Sequence, residues 1–164
     1  MTNNDILRRL RYTFDFSDSK MIDIFALADH QVTREQISNW LKKDDDPAFQ
    51  SCNDTLLATF LNGLINEKRG KKEGSQPEPE KRLTNNIIFT KLKIALNLKS
   101  ENVLEILALN GFRISQHELS AFFRKPGHKH HRECKDQCLR SFLKGMQLKY
   151  RDNVVSKTDF QWPT

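Results

Sequence analysis

The sequence predicts an all-α protein made of two tandem four-helix repeats that pack with pseudo-two-fold symmetry, each carrying a helix-turn-helix-like element. Three observations predict this. A single offset of 82 residues superposes the second half on the first without a gap, and roughly a quarter of the paired residues are identical. Asn3-Asn4 falls on Asn85-Asn86, Ile24-Phe25-Ala26-Leu27 on Ile106-Leu107-Ala108-Leu109, and Phe60-Leu61-Asn62-Gly63 on Phe142-Leu143-Lys144-Gly145. Apolar residues recur three and four positions apart, as one face of a helix requires, and no alternating strand pattern appears. Both copies also place a hydroxyl residue three positions before a Glu or Gln at the start of the third helix.

The first helix of each copy opens at Asn3 or Asn4, with Asp5 near its positive end. Its apolar stripe is Ile6, Leu7, Leu10 and Phe14, or Ile88, Phe89, Leu92 and Leu96. The second starts at Asp18 or Ser100 and buries Met21, Ile22 and Phe25, or Val103, Leu104 and Leu107. Third helices start at Thr33-Arg34-Glu35-Gln36 and Ser115-Gln116-His117-Glu118, where hydroxyl and carboxamide or carboxylate satisfy backbone donors reciprocally. Ile37, Trp40 and Leu41, or Leu119, Phe122 and Phe123, face the core. The fourth runs from about Asn53 to Lys68 on Leu56, Leu57, Phe60, Leu61, Leu64 and Ile65, and its twin on Cys138, Leu139, Phe142, Leu143 and Met146. Gly63 and Gly145 hold matching mid-helix positions, where glycine costs about 1 kcal/mol against alanine, so a close helix crossing is expected there.

The expected boundaries are residues 1–70 for the first copy, 71–84 for an exposed linker rich in Gly, Pro and charge, 85–151 for the second copy, and 152–164 for a C-terminal tail whose Phe160 and Trp162 either dock or hang free. No apolar run is long enough to span a bilayer, and the N-terminus has no basic-then-apolar leader, so the expected address is the cytoplasm, with no membrane partner. Cys52, Cys134 and Cys138 have no disulfide-scaffold spacing.

Charge divides unevenly. Residues 1–70 hold nine basic and eleven acidic side chains, net −2, whereas residues 85–151 hold thirteen and five, net +8. A half-chain excess of this kind points to an acidic partner.

The run Gly127-His128-Lys129-His130-His131-Arg132-Glu133-Cys134 invites a zinc reading. Register opposes it: His131 falls on Phe49, Cys138 on Leu56, and the paired ligand spacings of structural zinc sites are missing. No metal and no cofactor is expected. Cys52 and Cys134 sit where a helix dipole could activate a thiol, yet no copy-shared His stands beside them and packing is the expected role. Asp54 and Asp136 read as helix-start charges rather than an acid/base pair. No phosphate-binding glycine loop, nucleophilic triad or metal-hydrolase motif occurs, so no catalytic residue and no enzyme is expected.

The segment Ile24 to Lys43 resembles a helix-turn-helix, with Val32, Ile37 and Trp40 at its buried spacing, and Ile114, Leu119 and Phe122 repeat it. Arg34, Asn39 and Lys42 would then be candidate contacts. In the second copy Lys91, Lys93, Arg113, Gln116, Arg124, Lys125, Lys129, Arg132 and Arg140 complete the set, if they gather on one face. The expected partner is DNA or RNA, with an acidic protein or a second copy of the chain as the alternative.

The Asn-Asn start, the Cys-x-Asp pair and the Phe-Leu-x-Gly-Leu-Ile-x-x-Lys-Arg-Gly ending at Gly70 resemble the YehS-like family of small bacterial proteins, built from a tandem domain of unknown function. The likeness covers the chain to about Asp152 and implies a cytoplasmic bacterial protein, with no reaction or ligand attached. The second copy departs from it at Gly145-Met146-Gln147-Leu148.

Overall fold

The computed structural model describes residues 1–152, so the expectation for Phe160 and Trp162 lies outside the described residues. Eight helices and no strand form among the described residues. They are α1 (Asn3–Phe14), α2 (Asp18–Leu27), α3 (Arg34–Leu41) and α4 (Asp54–Arg69), then α5 (Asn85–Ala95), α6 (Ser100–Leu109), α7 (Gln116–Phe122) and α8 (Asp136–Tyr150).

Local chemistry sets the boundaries. Thr33 Oγ1 accepts the Gln36 N–H at 3.1 Å while Gln36 Oε1 accepts the Thr33 N–H at 2.8 Å; Ser115 and Glu118 repeat the exchange at 3.0 and 3.1 Å. Thr2 and Asp5 close a third such box at α1, one residue earlier than the Asn-Asn reading placed the cap. After α1 and α5, Asp15 and Asn97 turn the chain through left-handed conformations, and after α2 and α6 Asp29 and Gly111 do the same. Asp, Asn and Gly tolerate that region best.

Inside each copy α2 packs on α4 and α3 on α2, and correspondingly α6 on α8 and α7 on α6. Between copies α4 packs on α5, and α8 returns to pack on α1. The two junctions exchange under one pseudo-two-fold operation, because α1 corresponds to α5 and α4 to α8. A single core runs through both copies, with Phe25 against Phe60 at 5.3 Å between ring centroids in one and Phe89 stacked on Phe142 at 4.4 Å in the other.

The glycine expectation has a steric basis. A Cβ on Gly63 would collide with the Ile24 carbonyl oxygen of α2, and one on Gly145 with the Ile106 carbonyl oxygen of α6. Backbone-to-helix contact this close admits no side chain.

The connection after α4 is exposed over much of its length but pinned to the junction beneath it. Asn66 Nδ2 donates to Gln76 Oε1 at 2.7 Å, Lys91 Nζ pairs with Glu80 Oε1 at 3.1 Å, and the Leu83 N–H donates to Asp54 Oδ2 at 2.9 Å. It therefore lies across the α4/α5 junction as an extended strap.

Candidate functional site

The asparagines and aspartates that both copies share near the start of the first and fourth helices are committed to structure. Asn4 is 2% exposed; its Nδ2 donates to the Trp40 and Gln50 carbonyls, both at 2.9 Å, and its Oδ1 accepts the Cys52 N–H at 3.0 Å. Asn86 repeats all three bonds with Phe122, Arg132 and Cys134 at 3.0, 2.7 and 2.9 Å. One amide thus ties the first helix to the end of the third and the start of the fourth. Next to it, Asn3 Nδ2 donates to Asp54 Oδ1 and Asn85 Nδ2 to Asp136 Oδ1, each at 2.7 Å. The bond from Asn85 lowers the pKa of the Asp136 carboxyl below the ordinary carboxylate range.

Cys52, Cys134 and Cys138 are buried. Burial, with the Asp54 carboxylate adding to it, pushes the Cys52 thiol up to about 12. Cys134 is raised as well, first by its hydrogen bond to Cys138 and then by burial. Protonated thiols of this kind are poor nucleophiles.

In charge, the copies differ most in the loop between the third and fourth helices. Its backbone is the same in both: Asp46 N–H to Lys43 O, Phe49 N–H to Asp46 O and Gln50 N–H to Asn39 O recur as His128 to Lys125, His131 to His128 and Arg132 to Ala121. Asp46 Oδ1 accepts the Ala48 N–H, and in the second copy His128 Nδ1 accepts the His130 N–H in the same role. His131 Nδ1 lies 2.9 Å from the Arg124 carbonyl oxygen. These histidines hold the loop's turns together. The side chains reverse its charge, however, since Asp44-Asp45-Asp46 stands opposite Pro126-Gly127-His128 and the flanking cations increase.

The twelve candidate contacts do not gather as one set. Lys129 and Arg132 line, with His117 and Glu118 of α7, a shallow pocket of about 140 Å³, and Gln116 sits exposed beside it at the helix start. Arg113 is exposed ahead of α7, and Lys125 lies on the other flank of the loop with the half-buried Arg124. In the first copy Arg34 is exposed and bonds Ser19 at 3.3 Å, Asn39 is half-buried, and Lys42 bonds Ser38 at 2.9 Å within reach of the acidic loop.

Lys91 corrects the sequence reading. Its side chain is only 13% exposed and its ammonium is held by Asn62 at 2.6 Å and by Glu80, so it belongs to the junction and not to a phosphate contact. Lys93 lies over the Phe123 ring at 5.2 Å. For Lys91 the cause is the pseudo-two-fold packing, which turns its face of α5 toward Asn62 of α4.

Arg140 lies elsewhere again, in a groove of about 510 Å³ between α1 and α8 lined also by Arg8, Arg9, Tyr12, Leu143 and Gln147. Arg8 and Arg9 escaped the sequence reading because the first copy is acidic as a whole. The register held the clue, since Arg9 is the twin of Lys91. The equivalent groove between α4 and α5 has a volume of about 820 Å³ and is lined by Lys91, Arg124, Lys125 and the strap residues Pro77, Glu80 and Leu83.

Among the described residues no helix is long and apolar enough to cross a membrane. No solved structure matches the chain. A relative from Escherichia coli (strain K12), described as an uncharacterized protein YehS, is 48% identical over 147 residues, which cover 89% of this chain and 94% of that protein. The family model described as a protein of unknown function (DUF1456) matches twice, over residues 3–70 and 85–152, the two spans that repeat the same four helices and the same asparagine clamp. The chain belongs to the DUF1456 family.

Proposed function

We propose that the protein is a non-enzymatic, cytoplasmic binding module that docks nucleic acid through residues 124–132 and the start of α7. The charge reversal of one loop on an unchanged backbone carries this reading. Arg124, Lys125, Lys129 and Arg132 form no ion pair among the described residues, whereas the matching loop of the first copy presents three aspartates. A short cationic loop beside a helix start suits phosphate contacts, which position a protein without specifying sequence. A role without catalysis is supported by the asparagine clamp and by the raised thiols of Cys52 and Cys134, which commit these shared groups to packing. The helix-turn-helix likeness of α2–α3 and α6–α7 supports a duplex, with Gln116 and His117 at the leading end of α7.

Fluorescence anisotropy of the full chain with labelled duplex and single-stranded oligonucleotides, at low salt and along a salt series, tests the reading. Replacing all four loop cations by alanine is expected to make the slope of log K against log salt shallower by about 3 to 4 units. Absence of binding at low salt, or an unchanged slope in that variant, rejects it. In the latter case an acidic protein surface becomes the better partner for the same loop.

A further inference from the structure

We propose that the groove between α1 and α8 docks an extended acidic peptide from a partner protein, in the way the strap lies along one wall of the equivalent groove between α4 and α5. The molecule supplies its own template. At the α4/α5 junction the chain lays Pro77, Glu80 and Leu83 along the groove, and the Glu80 carboxylate meets Lys91, whose ammonium also bonds Asn62. Under the 82-residue register Arg9 replaces Lys91, Arg8 replaces Thr90, Arg140 replaces Ala58, Tyr12 replaces Ile94 and Gln147 replaces Ile65. The α1/α8 groove therefore repeats the docking cleft with more positive charge.

The groove's own acid does not neutralise it. Asp5 pairs with Arg8 within α1, and Arg8 also donates to the Lys42 carbonyl. Arg9 donates to the neutral Gln147 Oε1 at 3.1 Å, and neither Arg9 nor Arg140 forms an ion pair among the described residues. Tyr12, 46% exposed, walls one end, with the Arg151 guanidinium 3.9 Å from its ring centroid. Two guanidiniums spaced along a half-apolar cleft match carboxylates spaced along an extended chain, as in the Pro77-Glu78-Pro79-Glu80 sequence of the strap. This surface is distinct from the loop at 124–132, so the two proposals stand or fall separately.

A labelled synthetic peptide of the acidic strap sequence, residues 74–80, serves as probe for the full-length chain. Saturable binding is expected, weakened about tenfold by Arg9→Ala, with a similar loss when both peptide glutamates become glutamine. Lys129→Ala is expected to leave the affinity unchanged. Circular dichroism confirms that the variants keep their helices, and the glutamine peptide reports on charge recognition without altering the protein at all. Benzoylphenylalanine installed at Tyr12 should crosslink to the peptide. No saturable binding, equal losses from Arg9→Ala and Lys129→Ala, or crosslinking to residues 153–164 of the same chain in place of the peptide would each overturn the proposal.

Discussion

Asn4 and Asn86 show how one side chain can specify a junction of three segments. Each fills its donor and acceptor capacity with backbone groups 36 to 48 residues away. Alanine at either position leaves two carbonyls and one N–H without partners, at about 1–3 kcal/mol for each buried group. We expect Asn4→Ala to lower stability in urea by about 3 kcal/mol or more, and Asn3→Ala by less because its site is only half-buried. The pair was visible in the sequence as a repeated dipeptide, but its role was not, because the bonds reach across the chain. Carboxylates give the second residue-scale prediction. Burial opposes ionisation of Asp5, yet bonds from Thr2 and Arg8 outweigh it and lower its pKa; Ser115 lowers Glu118, and Asn85 lowers Asp136. A depressed carboxyl adds stability above its unfolded pKa and loses it as pH falls through the folded one. The urea midpoint should therefore hold from pH 7 to about 5 and decline below about 4; a midpoint still flat at pH 3 contradicts these couplings.

Elements obey local chemistry at their ends and tertiary geometry in their middles. The capping boxes of α3 and α7 were readable because a hydroxyl and an acceptor three residues apart meet inside one turn. Gly63 and Gly145 signalled a close approach without naming the partner, which packing supplied as the carbonyls of Ile24 and Ile106. Two effects compete in Gly63→Ala: alanine gains about 1 kcal/mol of helix propensity, whereas overpacking typically costs about 1–3 kcal/mol and more against rigid backbone. Backbone cannot swing aside, so net destabilisation of about 2 kcal/mol or more is expected at either glycine, checked by thermal melting. Alanine at Gly127, where no atom lies within contact of the added carbon, is the neutral control.

At the scale of the molecule, the duplicated unit is a helical set completed by its neighbour. α4 and α1 each bury a face against the other copy, and the core is continuous across the junction. Residues 1–70 expressed alone should consequently expose those faces, giving a self-associated or loosely packed chain that binds a hydrophobic dye, while the whole chain does not. A well-dispersed monomeric NMR spectrum from that fragment would count against the shared core. Helix number, helix ends, the repeat and the glycine crossings were determined by the sequence itself, since periodicity and capping act within a few residues. Only tertiary structure decided which cations remain available. Lys91 and Arg9 occupy the same position of the same unit, yet the strap's Glu80 closes over one and Gln147 lies beside the other. Net charge per segment cannot register that difference, because a salt bridge depends on which side chains the two-fold packing brings within reach of one another.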